Sequence, residues 1–422
     1  MTFPGLLTPW YDFRDLSNAV ERLLSWLNDV GPDWLVYVVS ALIGGTGIFI
    51  FVAVTAIWNS WIERRVVGRM QSRLGPNRAG IWGLLQPIAD MVKLMQKEAL
   101  LPAASDPLVF LLPPILVFVP AMLVWAVFPF GEGMTLVDLN VGVLYIIAVT
   151  SLTTIVLFMA GWSSNNKYSL LGAMRVIAVL LSYEIPLVLA LLGAVLFAGT
   201  MSLGGIVAWQ QDMRIWIFLL QPLAFAIYFI CATAEINRTP TDIAEAESEI
   251  VAGFHTEYSG MQFGLFYAVE LVNAMAVAAI ASTIFFGGWW LFGLDRWIPG
   301  WIIFIGKIYA LYFVLIWLRG TLPRLRVDQL MAFAWKFLLP LALVNIMLAA
   351  LEVLLWLEYD LSAGLVLPVF SVVNLGLAAV LVVGWARLLA PRFGRLPSRA
   401  RLVPDIAVAA SGATAFGGGD ST

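Results

Sequence analysis

The side chains best suited to chemistry in this chain are carboxylates and guanidinium groups gathered into three polar stretches. One runs Glu63-Arg64-Arg65, then Gly68-Arg69, Gln71, Arg73 and Gly75-Pro76-Asn77-Arg78. A second holds Glu235, Asn237-Arg238, Pro240, Asp242, Glu245, Glu247, Glu249, His255 and Glu257-Tyr258. Asp242, Glu245 and Glu249 recur at i, i+3 and i+7, which places them on one helical face. Like charges so close raise one another's proton affinity, and such a face can exchange protons near neutrality. A solvated acidic loop has the same composition, but the interleaved Ile243, Ile250, Val251 and Phe254 give this segment a face to bury. The third stretch, Arg319-Gly320, Pro323-Arg324, Arg326 and Asp328-Gln329, reads first as a cationic membrane anchor and second as a clamp for acidic partners.

Four more ionisable residues lie within long apolar runs: Glu184, Glu270, Lys307 and Glu352. A charge at bilayer depth is costly and is a functional candidate by default. Glu184 and Glu270 read as functional, and Lys307 as a side chain that snorkels outward. Glu352 stands open between function and structure. Cys231, flanked by apolar residues, reads as packing, and His255 as a loop-surface histidine.

Only a membrane could surround the elements that carry these groups. Of 422 residues, 61% are hydrophobic and 12% charged, against about 25% charged in soluble proteins. Mean hydropathy is +0.90. A soluble enzyme is excluded, and so is a nucleic-acid binder, because 24 Lys and Arg face 27 Asp and Glu and leave no basic surface. One cysteine and one histidine exclude a disulfide framework and a Cys- or His-ligated metal cluster. Any redox cofactor must then sit in a partner.

The expected fold is all-α, with about nine spans of roughly 20 apolar residues each: near 34–58, 108–128, 141–160, 170–198, 215–234, 262–286, 300–318, 334–357 and 363–389. Lys and Arg fall 19 to 4 on alternate sides, with Lys307 inside a span. The positive-inside rule then puts the N-terminus outside and the C-terminus in the cytoplasm. Residues 1–33 read as an outer-surface extension with a short amphipathic helix around Leu16–Leu27, not as a cleavable signal. The transmembrane domain covers 34–389, with cytoplasmic loops 59–107, 235–261 and 319–333. The tail 390–422 reads as disordered. Residues 80–98, after the Gly-Pro-Asn turn, predict an amphipathic helix with Trp82, Leu85, Ala89 and Val92 on one stripe. Trp58, Trp61, Trp289, Trp290, Trp297 and Trp301 read as span-end anchors.

At the polar loops the sequence resembles a known family. Glu63-Arg64-Arg65 … Gly68-Arg69-Met70-Gln71 … Arg73-Leu74-Gly75-Pro76-Asn77 is similar to the first signature of the H subunit of respiratory complex I, the proton-pumping NADH:quinone oxidoreductase. Ala234-Glu235-Ile236-Asn237-Arg238-Thr239-Pro240 … Asp242 … Glu257-Tyr258-Ser259-Gly260 is similar to the second. Ala89-Asp90 … Lys93 … Lys97-Glu98, Leu181-Ser182-Tyr183-Glu184 and Arg319 … Pro323-Arg324 … Arg326 … Asp328-Gln329 also match, in order, between about 34 and 355. Thr241 departs from the phenylalanine usual at that position and could alter packing of the acidic loop.

The resemblance implies a membrane component that holds no cofactor, joins the hydrophilic arm to the membrane arm and forms much of the quinone chamber. Glu63, Arg64, Arg65, Asp90, Lys93, Glu235, Arg238, Asp242, Glu245, Glu247, Glu249 and Glu257 would line or border that chamber. Glu184, Glu235 and Glu270 would continue a proton path into the membrane. Quinone is the implied substrate, and FMN and iron–sulfur clusters are implied in neighbouring subunits. Two other readings stay open: the homologous subunit of a membrane-bound hydrogenase or another non-NADH dehydrogenase complex, and, more remotely, a stand-alone proton-coupled transporter.

Overall fold

The computed structural model describes residues 33–243, 250–294, 297–359 and 363–393. The expected N-terminal extension, the tail beyond residue 393, and Glu245, Glu247 and Glu249 lie outside the described residues. The chain divides into a unit ending at Leu375 and a second beginning at Gly376. The packing below is that of the first.

Among the described residues there are helices and no strands. The long ones are α1 (Asp33–Met70), α2 (Gln86–Gln96), α3 (Pro107–Leu123), α4 (Gly142–Ser163), α5 (Lys167–Ala198) and α6 (Leu203–Met213). They are followed by α7 (Pro222–Glu235), α8 (Gly260–Phe285), α9 (Gly300–Thr321), α10 (Val327–Phe333), α11 (Leu339–Glu358) and α12 (Ala363–Phe393). A π-helical stretch, Ala334–Leu338, carries α10 into α11. Eight helices among the described residues are long and apolar enough to cross a membrane. The protein is a polytopic all-α membrane protein.

The expected fifth span is in two pieces. A single turn, Ile217–Leu220, stops at Gln221 (φ −130°, ψ 61°), and α7 restarts at Pro222 with only 14 residues. A residue before proline is disfavoured in the helical region by the pyrrolidine ring, which permits the break, although α3 and α5 run on through Pro113, Pro114, Pro120 and Pro186. Gln210, Asn345 and Asn374 serve the polar groups gathered around it.

Helices α5 and α8 form the centre. Helix α5 packs on α4, α7 and α11, and α8 on α9, α3 and α1. Their most apolar windows are 56% and 61% buried, against 11% for α1, which marks α1 as peripheral. A helix apolar all round suits either the core or a membrane, and α8 is the more buried of these two helices. The close approach of α5 to the loop before α8 depends on Gly172, where a Cβ would lie 2.7 Å from the Gly253 Cα.

Several side chains read differently in place. Trp297 is exposed at a span end, as an anchor should be, but Trp289 and Trp290 are buried. Lys307 does not snorkel. Its ammonium donates to the carbonyls of Phe286, Gly288 and Trp290 at 2.7, 2.9 and 2.6 Å, which folds that loop inward. Glu352 is buried and accepts from Asn374 Nδ2 at 2.8 Å. The helix expected over 80–98 is shorter: a 3-10 turn at Ile81–Gly83 precedes α2, and Ile81, Trp82, Leu85, Val92 and Met95 stay exposed.

Candidate functional site

The site is built where four elements meet at one end of the bundle. Glu63 comes from α1, Arg238 from the turn after α7, Glu270 from α8, and Tyr312 and Arg319 from α9. Helix α7 ends at Glu235 and the chain reverses through Asn237 at φ 52°. Asparagine tolerates that left-handed conformation better than most residues. Thr241 fastens the turn by donating from its hydroxyl to the carbonyls of Arg238 and Thr233 at 2.7 and 3.3 Å. The threonine at this position therefore braces the segment through hydrogen bonds.

Arg238 is 2% exposed. Its Nη2 lies 2.9 Å from Glu63 Oε2, and its Nε donates to Glu270 Oε1 at 3.2 Å. Arg319 pairs with Glu63 and stands 3.9 Å from Glu270 Oε1. The Tyr312 hydroxyl donates to Glu63 Oε2 at 3.2 Å, and its ring lies 5.9 Å from the Arg238 guanidinium carbon. Two cations and two carboxylates thus balance in a buried cluster, the arrangement that burial of charge demands. Despite desolvation, which alone would lower it, the attraction of Glu63 and Glu270 raises the Arg238 pKa, and the group stays charged.

A rim of ion pairs surrounds this cluster. Arg324 Nη2 donates to Asp242 Oδ2 at 2.7 Å, and the Leu325 amide to the Pro240 carbonyl at 3.1 Å. The third polar stretch is therefore a clamp on the second, and not only a membrane anchor. Arg64 pairs with Asp90, which also accepts from Gln86 at 3.1 Å and has Lys93 at 3.8 Å. Arg65 donates to the Trp82 carbonyl at 2.7 Å, its guanidinium 5.2 Å from the rings of both Trp61 and Trp82. Adjacent arginines on α1 thus tie down the start of α2 by two different means. Glu257 accepts from Asn166 at 2.6 Å, away from the central cluster.

Desolvation pushes the Asp90 carboxyl up, but the hydrogen bonds from Arg64 and Gln86 outweigh it and hold the group below its ordinary value. A depressed carboxylate pKa contributes stability that is present above the unfolded value of about 3.9 and lost as pH falls through the folded one. The α1–α2 tie should therefore hold unchanged from neutrality down to about pH 5 and fail only in stronger acid, whereas Asp90→Asn should loosen it at every pH. Protease cleavage rates within residues 71–85 of the detergent-solubilised chain measure this; a tie that weakens between pH 7 and 5 would count against it. His255, read from sequence as a surface residue, packs against Phe254 and Phe263, and burial pushes its pKa down to about 4. It is neutral at physiological pH.

Polar groups continue from the cluster into the bundle. Glu270 and Glu235 line one cavity of about 60 Å³ together with Asn273 and Thr153. Glu235 also lines a second, of about 40 Å³, with Asn273, Thr150 and Thr153. Glu184 lies within electrostatic reach of Glu235 and accepts from the Ser151 hydroxyl. The structure thus brings Glu63, Arg238 and Glu270 into contact and sets Glu235 and Glu184 beyond them. Sequence reading missed Tyr312 and the hydroxyl- and amide-bearing residues Thr150, Ser151 and Asn273. A signal for Tyr312 existed: it lies seven residues before Arg319, on the same helical face. The others carry no charge in helices of uniform hydrophobicity, and only packing picks them out. No group of three or more His, Cys, Asp and Glu side chains converges as a metal site among the described residues.

These features define a class: a polytopic membrane protein with a charge-balanced ionic cluster at one end of its spans and half-buried carboxylates leading inward. Residues 44–350 match the family described as NADH dehydrogenase. The chain is 54% identical to the H subunit of NADH-quinone oxidoreductase from Dehalococcoides mccartyi (strain CBDB1), covering 78% of this chain and 91% of that protein. It is 51% identical to the corresponding H subunit of Geobacillus kaustophilus, over 74% and 93%, and 44% identical to one from Geobacter sulfurreducens, over 76% and 96%. The chain belongs to the family of NADH-quinone oxidoreductase H subunits.

Proposed function

We propose that this chain is the membrane subunit of a proton-translocating NADH:quinone oxidoreductase, forming much of the quinone chamber and linking quinone reduction to proton movement. The charged end of the bundle faces the cytoplasm, where hydrophilic-arm subunits cover it and supply FMN and the iron–sulfur clusters. Exposed apolar residues on and before α2 suit such a covered face. Glu63, Arg64, Arg65, Asp90, Lys93, Arg238, Asp242 and Glu257, with Glu245, Glu247 and Glu249, line or border the chamber. Quinone needs only an apolar tunnel and a few polar groups. The chain holds no cofactor of its own. Identities of about half to proteins named for NADH and quinone favour this reading over a hydrogenase subunit.

The observation that carries the coupling role is the run of carboxylates in which Glu63 and Glu270 share Arg238, Glu270 and Glu235 line one cavity, and Glu184 lies within electrostatic reach of Glu235. A protonatable group must keep its proton exchange to serve in such a path, and a glutamine cannot. Glu184→Gln and Glu270→Gln should therefore leave the complex assembled while coupled turnover falls by about tenfold or more. Glu→Asp should be milder, since the titrating group remains. Protons moved per electron in reconstituted vesicles provide the test, with assembly followed separately; normal pumping in both glutamine variants would remove the proton path from this reading.

A further inference from the structure

The cavity of about 40 Å³ beside Glu235 has two unlike ends. Toward the charged end of the bundle its wall carries Glu235, Asn273, Thr150 and Thr153; toward the opposite end it carries Val124, Ile146, Leu191 and Ile280. The positions of these residues along their helices set the division. Ile280 lies seven residues beyond Asn273 on α8, about 10 Å deeper, and five residues short of the helix end at Phe285. Ile146 lies seven residues from Thr153 on α4 and four from the helix start at Gly142. Leu191 is seven residues beyond Glu184 on α5, and Val124 opens the 3-10 turn that follows α3. Tyr228 also reaches the wall, seven residues before Glu235 on α7, but its hydroxyl donates to the Val277 carbonyl at 2.9 Å and so turns its hydrogen away from the cavity.

A cavity of that volume has room for about three water molecules, so the lining and not the space decides where water stands. A buried water needs several polar partners, and an aliphatic cavity stays dry. The carboxylate, amide and hydroxyls supply such partners at one end; the four aliphatic side chains supply none at the other. Beyond those side chains the bundle is closely packed. Trp125 and Phe128 are buried, and a Cβ at Gly142 would stand 3.3 Å from the Val127 side chain and 3.4 Å from that of Leu203. Protons travel along water and titrating side chains, and a dewetted aliphatic constriction stops ions.

We propose that Val124, Ile146, Leu191 and Ile280 form a dry seal, which keeps protons that reach Glu235 from crossing to the far side of the membrane. The cavity makes such a seal necessary, because little more than one turn of α4 and of α8 separates its aliphatic end from the far end of those helices. Water standing along its whole length would connect Glu235 to that end and dissipate the gradient. The seal makes the cavity a branch open to protons from one side only. This inference rests on the reading that Glu235 lies on the proton path.

The experiment uses the intact complex in vesicles, with assembly checked on native gels. A trapped pH-sensitive dye follows the decay of an imposed pH step in the idle complex, and protons retained per electron are read during turnover. Leu191→Asn and Ile280→Asn each place a hydrogen-bonding amide among the aliphatic side chains and should speed the decay about fivefold or more, with fewer protons retained. Leu191→Met and Ile280→Leu keep the wall apolar and should hold the step as the wild type does. If the asparagine variants fail to assemble, Val124→Thr with Ile146→Thr, closer in shape, should show the same leak at smaller size. Adding Glu235→Gln to a leaking variant should slow the leak, because the proton then has no carboxylate to load. The seal is overturned by a leak of equal size in the apolar controls, by a leak that persists with Glu235→Gln, or by tight vesicles in both readings with every assembled polar variant. Glu235→Gln alone separates the two claims. Impaired pumping there beside tight polar variants removes the seal only, whereas normal pumping removes the proton-path reading beneath it.

Discussion

Replacing Arg238 with methionine is expected to lower quinone reductase activity by about 100-fold or more, while NADH oxidation by a soluble acceptor such as ferricyanide continues. Methionine fills similar volume but removes one of two cations facing Glu63 and Glu270. Arg319, partly exposed, would be left with two carboxylates at the edge of the apolar region. Breaking a buried ion pair by deleting one partner costs about 3–5 kcal/mol, because the other charge stays buried and uncompensated. The site would answer by taking up a proton or water, or by pulling Arg319 inward, and each response dismantles the balanced cluster. Arg238→Lys should fall between, since an ammonium lacks the planar fork that addresses two carboxylates at once. Turnover of the isolated complex with quinone and with ferricyanide checks this. Near-normal quinone turnover in the methionine variant would make the cluster a bystander, and equal loss of both activities would point to failed assembly.

Lys307→Met should have the second largest effect, and on stability more than on chemistry. The ammonium gathers the carbonyls of Phe286, Gly288 and Trp290, with its charge 5.4 Å from the Trp216 ring. Each carbonyl left without a donor costs about 1–3 kcal/mol, so the loop that buries Trp289 and Trp290 should open. We expect a sharply reduced yield of assembled complex and a lower melting temperature for what remains. Lys307→Arg should recover only part of the loss, because a planar guanidinium cannot direct its donors to three carbonyls converging on one point. Wild-type yield and melting temperature in Lys307→Met would mean that water replaces the ammonium without cost.

The membrane class, nearly all the spans and the polar stretches that matter could be read from the chain alone, because they rest on local quantities: runs of apolar residues, the side on which cations fall, and ionisable residues too costly to bury without purpose. Glu184, Glu235 and Glu270 stood out for that reason. Family resemblance named the polar stretches together, since their order survives in sequence even when their contacts are invisible. Contacts between distant segments were not legible. Glu63 and Arg319 are 256 positions apart, and no local pattern says that α1 and α9 meet on either side of Arg238. Arg324 looked like a membrane anchor until its partner, Asp242, was in place, and Lys307 looked free to reach water until three carbonyls converged on it. Most of all, the fifth span reads as apolar whether whole or broken. A proline can be read, but whether a membrane helix survives it depends on which distant side chains satisfy the freed backbone. Gln210, Asn345 and Asn374 come from helices that only the tertiary fold brings to the same place.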